Sequence, residues 1–386
     1  MGRMNIEAIR AGMPALSEIL QVNSGTKGIC AAPVVEALLE NTKRVEVGGY
    51  LGYCEMQAKA ESAKARLAAL FGCDESELAF TGNASVSLNV ALALPWERWG
   101  APVDVLISDH EYPTTNMVFG YLEKIGKARL IRYVLSENIE TMRESLEASV
   151  TEGTKLLVAS HVCCNTGLRT DVKALSDWAR ARGIVSYIDG AQAAGQFLIN
   201  LHELGCDLYI TNGHKWMFGP NGVGLLYVRA GFEDELTPTM VGMGTMDFAD
   251  HGTWTPGAQR FDLMATRPAQ VLATMHAALD WLENLGFERV WARQRALTNH
   301  VKARILTMPE RFTLITPLEF EKSSALASVK IVGKSGEQIG AFAGKMLQEK
   351  RAFLRPVPEF DALRLSMAYY NTEDDFERTF AMLAEM

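Results

Sequence analysis

From about residue 55 to residue 228 the chain alternates between two hydrophobic patterns. Short, almost continuously apolar runs recur as ELAFT (77–81), VDVLIS (103–108), KLLVAS (155–160), IVSYID (184–189) and VGLLYV (223–228). Such runs suit strands covered on both faces, as in a parallel sheet inside an α/β fold. Between them, EMQAKAESAKARLAALF (55–71), ETMRESLEASV (140–150) and DVKALSDWARARG (171–183) repeat their apolar residues at three and four positions. That spacing predicts helices, and Gly183 is placed to end the last of them. Strand, helix, strand in succession implies right-handed crossovers and a mostly parallel sheet.

After about residue 230 the texture changes to a loop bearing Gly, Met and Trp, MVGMGTMDFADHGTWTPGAQ (240–259), then a long helix near 268–285 and a mixed C-terminal region. We therefore expect a large domain over residues 20–256 and a smaller α+β domain made of 1–19 and 257–386. No internal repeat, low-complexity linker or helix-turn-helix module interrupts this plan.

The 386 residues, 48% hydrophobic and 22% charged, are ample for a sizeable core. A net charge of -8 lacks the clustered Lys/Arg excess that a nucleic-acid surface needs, so a small-molecule substrate is expected. Cys30, Cys54, Cys73, Cys163, Cys164 and Cys206 form neither a CxxC pair nor a regular framework. No structural metal site or disulfide scaffold is expected, and a reducing, cytoplasmic setting is. The opening residues MGRMNIEAIRAGMPALSEIL lack the apolar run of a signal peptide, and no stretch approaches a membrane span.

The chemistry gathers at TNGHKW (211–216), followed by GPNGVGLLYV (219–228): a lysine, Lys215, after a His and before a Gly-rich loop leading into a strand. Upstream, IVSYID ends in Asp189 and runs into GAQ (190–192). Ligands of α/β sheets sit beyond the carboxyl ends of the strands, where Asp189 should be. A carboxylate buried there needs a cation, and pyridoxal phosphate carries one in its protonated ring nitrogen. The alternative for Asp189 is a turn-forming residue before Gly. In FTGNASVSLNVAL (80–92) a strand breaks at a Gly/Asn turn before a helix start, which makes Ala84 and Ser85 candidates for a phosphate, or simply for an N-cap.

These residues resemble the class V aminotransferase family of pyridoxal-phosphate enzymes, of fold type I, and within it the branch of isopenicillin N epimerase and the cysteine desulfurases. The resemblance runs from about residue 20 to the end. It is tightest at D-x-A-Q (Asp189 to Gln192), at G-H-K with its G-P-x-G-x-G tail (Gly213 to Gly224), and at R-x-S-x-A-x-Y-N-T (Arg364 to Thr372). It implies Lys215 for the cofactor imine, Asp189 for the ring nitrogen and Gln192 for the ring hydroxyl. Asn212 and His214 fall where the family's phosphate ligands stand, with Asn212 replacing the usual Ser. ISDHEYPTTN (107–116) resembles the family's turn that stacks an aromatic ring on the cofactor, which assigns Tyr112, with His110 as the rival. In SHVCCNTG (160–167) either Cys164 or Asn165 reaches the hydroxyl side. RFDLMATRP (260–268) resembles the segment that reaches the phosphate of a neighbouring subunit, so Thr266 would contribute across a homodimer interface.

At the substrate end the resemblance gives Arg364 the carboxylate, a contact that a guanidinium fork makes with two parallel hydrogen bonds; Arg355 is the next candidate. VNSGTKG (22–28), with Asn23, and EVGGYLGY (46–53), with Tyr50 and Tyr53, are expected as pocket walls. The desulfurases carry a nucleophilic Cys before the carboxylate Arg, and EKRAFLRPVPEFDALRLS (349–366) has none. The expected activity is therefore removal of an amino acid's α proton, with Lys215 as base, followed by epimerisation or β/γ-elimination. Transamination is the alternative; a desulfurase, or a regulator that has lost catalysis, fits less well.

Overall fold

The computed structural model describes residues 4–247, 249–250 and 252–386. A seven-stranded sheet forms the centre. Its strands in chain order are β1 (Leu78–Thr81), β2 (Val103–Ser108), β3 (Ala128–Tyr133), β4 (Thr154–Ser160), β5 (Val185–Asp189), β6 (Leu208–Asn212) and β7 (Gly224–Val228). Their spatial order is β1-β7-β6-β5-β4-β2-β3. Strands β6, β5, β4, β2 and β3 run parallel, while β7 is antiparallel to both of its neighbours. Every residue of β1, β2, β6 and β7 is buried, as continuous apolar runs require, whereas edge strand β3 is buried only at its two ends.

The five apolar runs all became strands, but VGLLYV is the antiparallel member, not a parallel one. ARLIRY and LYITN escaped notice: the first is interrupted by two Arg at an edge, and the second is too short and mixed to stand out. The helix expected over 55–71 is the C-terminal part of Ala32–Leu70, which kinks at Gly49, φ 56°. EVGGYLGY is therefore helical around that kink and not a pocket loop. The helix expected near 268–285 is two, Ala269–Ala273 and Met275–Leu285.

A second, antiparallel sheet of β8 (Phe312–Leu314), β9 (Leu326–Ile331), β10 (Arg355–Val357) and β11 (Ala362–Ser366) has the order β10-β11-β9-β8. Its apolar cluster draws on Leu297, Val301, Ile305, Ile339, Met346, Phe376 and Phe380, together with Leu20 and Val22 near the N-terminus. Residues 269–290, expected with the smaller domain, instead place Ala269, Leu272, Leu279, Leu282 and Val290 in the cluster of the large sheet. The α/β architecture with a smaller α+β unit is as expected. Among the described residues, no helix is long and apolar enough to cross a membrane.

Candidate active site

Parallel strands β4, β5 and β6 end side by side, with Ser160 paired to Asp189 and Asp189 to Ile210. Beyond those ends lies a cavity of about 530 Å³, a size that suits a cofactor with a small substrate. Asp189 and Asn212 line it from strand ends of the large sheet, His214 and Lys215 from the turn after β6, Ala84 and Ser85 from the start of the helix Ala84–Leu88, and Arg355 and Arg364 from the small sheet.

The lysine-bearing turn is fixed from two sides. Asn212 accepts the Lys215 amide at 3.3 Å and donates to the Ala191 carbonyl at 3.2 Å. Gly28 packs so closely that an added Cβ would sit 2.2 Å from the Lys215 carbonyl oxygen, so the VNSGTKG segment needs glycine there. Burial lowers the Lys215 amine to about 8; Asp189 opposes that shift and Arg364 and Arg355 add to it. Its Nζ lies 5.7 Å from the centroid of the Tyr112 ring.

Burial pushes the Asp189 carboxyl above the usual carboxylate range, against the Ala191 amide (2.9 Å) and the charge of Lys215. Thr115 donates to its other oxygen at 3.5 Å. Behind it sits Glu111, buried, which accepts from the Ser160 amide (2.8 Å), the Ser160 hydroxyl (2.7 Å) and Ser108 (2.5 Å). Burial, with Asp189 adding to it, raises Glu111 to about 7. Glu111 and Thr115 lie inside the quoted motif ISDHEYPTTN; beside the local Ser108, their partners Ser160 and Asp189 come from β4 and β5.

Gln192 donates to the Gly25 carbonyl at 2.7 Å and accepts from Trp216 at 3.0 Å, leaving one amide hydrogen free at the cavity wall. His214 is lowered to about 4 by burial and by Lys215 and Lys27, so it is neutral. Asn221 and Gly222 also line this end, and the GPNG motif was their signal.

Arg364 is buried, donating from Nη1 to the Cys164 carbonyl (2.8 Å) and from Nη2 to Asn23 (3.0 Å) and Thr26 (3.3 Å). Its Nε has no acceptor. Gly25 makes room, since a Cβ there would meet Nη2 at 2.9 Å.

The two open alternatives separate. Tyr112 lines the cavity, whereas His110 stacks on Phe360 at 5.5 Å. Cys164 lines it, its thiol pushed up to about 12 by burial, while Asn165 does not. Asn23 acts through Arg364 and is not part of the wall. Tyr50, Tyr53 and Thr266 are not brought to the cavity. Tyr50 is 82% exposed, Tyr53 donates to the Ala265 carbonyl at 3.2 Å, and Thr266 is exposed next to Arg267, which pairs with Asp262 at 3.3 Å.

A buried carboxylate aimed at one end, an amine lowered toward neutrality, an aromatic ring beside it and a polar opposite end are a donor set that fits pyridoxal phosphate. Comparison with known proteins points the same way. Residues 50–379 match the family model described as aminotransferase class-V. Isopenicillin N epimerase of Streptomyces clavuligerus is 31% identical over 338 residues, 84% of this chain and 83% of that protein. A probable cysteine desulfurase of Halobacterium salinarum is 24% identical, covering 100% of this chain and 97% of its own. Among solved structures, a lysine-to-alanine mutant of C-DES with glycine covalently linked to its PLP cofactor superposes with a TM-score of 0.89 at 22% identity, covering 98% of this chain and 99% of that one.

Proposed function

From the premise that the chain belongs to the class-V aminotransferase family, we propose that it removes the α proton of an amino acid and then either returns it with inversion or expels a β or γ substituent, as carbon–sulfur lyases do. Its cofactor is pyridoxal 5′-phosphate. When bound, this group supplies a cationic ring that withdraws electrons from the bonds at the substrate's α carbon.

The chain's own residues do the rest. Lys215 would hold the cofactor, and its amine, lowered to about 8, is matched to taking the α proton as general base. Asp189 would keep the ring nitrogen protonated, and Tyr112 would offer its ring to the cofactor's. Gln192 and Cys164 would serve the ring hydroxyl, while Asn212, His214, Ala84 and Ser85 would hold the phosphate. Arg364, on the cavity wall, binds the substrate carboxylate. In a homodimer, Tyr50, Tyr53 and Thr266 would serve the partner's site; the exposed Val47, Leu51, Met240 and Met243 support such a face.

The observation that carries the reading is one cavity lined by Lys215, Asp189 and Arg364, with the Lys215 amine lowered by its burial there. A desulfurase reading lacks a nucleophile: residues 349–366 hold no Cys, and the Cys164 thiol at about 12 stays protonated. The test is incubation of the holoenzyme with a panel of amino acids in deuterated water. We expect α-deuterium together with inversion or a released side group. Pyridoxamine phosphate that accumulates and is discharged by a keto acid would make the protein a transaminase instead.

A further inference from the structure

Arg355 and Arg364 are direct partners in the register of β10 and β11, so both side chains stand on the same face of the small sheet, and both line the cavity. Like charges placed opposite each other in a sheet repel, and proteins normally interleave a carboxylate. Here none is interleaved. Among the described residues, neither guanidinium has an ion-pair partner, and Arg355 makes no side-chain hydrogen bond at all, although other surface and half-buried Arg residues such as Arg129, Arg293 and Arg304 are paired.

The charges of the cavity wall sharpen this. Lys215, Arg355 and Arg364 are its cations; Asp189 is its one carboxylate, and it lies at the cofactor end. His214 at about 4 adds no charge. Arg355 lowers the Arg364 guanidinium, and both lower the Lys215 amine. The phosphate-binding candidates come from the large-sheet side, Asn212 and His214 at and just past the end of β6 and Ala84 and Ser85 at the start of the short helix Ala84–Leu88, whereas both Arg belong to the small sheet. A substrate with one carboxylate would neutralise one of the two.

Resting on the proposed amino-acid chemistry, we propose that Arg355 is a specificity-determining residue that binds a second acidic group, so that the substrate is an amino acid carrying an acid on its side chain. Arg364, fixed by Asn23, Thr26 and the Cys164 carbonyl, takes the α-carboxylate. Arg355, untethered and half-buried on strand β10, takes the distal one. A side chain without internal contacts can follow acids of different reach, whereas the held one fixes the α carbon against Lys215.

The experiment compares matched pairs on the wild-type holoenzyme and on Arg355→Gln: glutamate with glutamine, 2-aminoadipate with norleucine, and cystine with S-methylcysteine. For each we would measure α-deuterium exchange and the substrate concentration that half-shifts the cofactor absorbance. In parallel, the thermal midpoint is followed with glutarate against butyrate, a pair that needs no turnover. We expect the wild type to favour the acidic member of each pair by about tenfold or more, and Arg355→Gln to erase most of that ratio. Glutarate should raise the midpoint of the wild type more than butyrate does, and this difference should vanish in the variant. Equal preference within pairs, or a variant that weakens acidic and neutral members alike, would overturn the proposal and make Arg355 a second anchor for the α-carboxylate. If no amino acid exchanged its α proton, the reaction reading would fall, while the glutarate and absorbance arms would still decide on Arg355.

Discussion

At the cofactor end of the cavity, Asp189, Asn212 and Lys215 stand at or just past the ends of adjacent parallel strands of one sheet, where the Ala191 amide donates to the Asp189 carboxylate and the Asn212 side chain holds the Lys215 backbone. At the substrate end, Arg364 and Arg355 come from the small sheet, and Asn23 and Thr26 come from near the N-terminus. The first end is built on the strands of one sheet. The second is assembled from separate parts of the chain. A set on rigid strands fixes the reaction that every substrate shares, while the assembled set decides which substrate is admitted.

The sharpest way to break this contrast is Lys215→Ala. It should abolish the borohydride-reducible bond to pyridoxal phosphate and cut α-proton exchange by about 10³-fold or more, with the circular-dichroism spectrum unchanged. A reducible bond that survives would place the cofactor on another lysine. The same residue gives a pH signature. Its amine is lowered from the ordinary lysine value to about 8, so the neutral, attacking form is scarce below that pH and dominant above it. Covalent uptake of added cofactor by the apoprotein should therefore rise steeply up to about pH 8 and level off beyond it, as followed by stopped-flow absorbance. A rate that is flat from pH 6 to 9 would refute the lowered amine.

Asp189→Asn should keep the fold and still take up the cofactor, yet lose about 100-fold in α-proton exchange, because no anion holds the ring nitrogen protonated. Asp189 also raises the lysine, so its removal should move the uptake plateau to lower pH. An unchanged exchange rate would sink the role assigned to Asp189.

The same contrast explains what could be seen in the sequence. Lys215, Asp189 and Gln192 sit in contiguous motifs at strand ends, where local order predicts position, and all three line the cavity. Glu111 lay in full view, but its burial against Ser108 and Ser160 depends on the pairing of strands far apart in sequence. Tyr50 and Tyr53 looked like pocket walls because glycines flank them, yet a helix that continues past a kink at Gly49 carries Tyr50 outward and packs Tyr53 against the core of the large sheet. The missing strand Leu208–Asn212 is the one on which the lysine turn hangs, so the motif was legible while its support was not. The reversed direction of Gly224–Val228 is a matter of tertiary pairing that no run of apolar residues encodes.

At the substrate end, Arg364→Lys should chiefly raise KM. A point charge cannot reproduce a fork that is held at both Nη atoms, and a lost charge-assisted hydrogen bond costs about 1.5–3 kcal/mol, or roughly 10- to 100-fold. Steady-state kinetics would show the split, with kcat falling much less. Wild-type KM in this variant would move the α-carboxylate to Arg355.

The smallest effect should come from Asn23→Ala, and it tests whether the assembled end is held or merely occupied. Asn23 accepts from Nη2 of Arg364 at 3.0 Å and also from the Thr26 hydroxyl at 2.9 Å. Without it, Thr26 still accepts from Nη2 and the Cys164 carbonyl still accepts from Nη1, so the guanidinium keeps its place and its charge but gains a little freedom. A neutral acceptor of this kind contributes about 0.5–1.5 kcal/mol, so KM should rise roughly 2- to 10-fold while kcat stays nearly constant. The cofactor absorbance and the pH plateau of its uptake should not move, since no part of Asn23 touches the strand ends that set them. A loss in kcat approaching that of Asp189→Asn would mean that the two ends are mechanically one, and that holding Arg364 also sets the alignment of the α proton against Lys215.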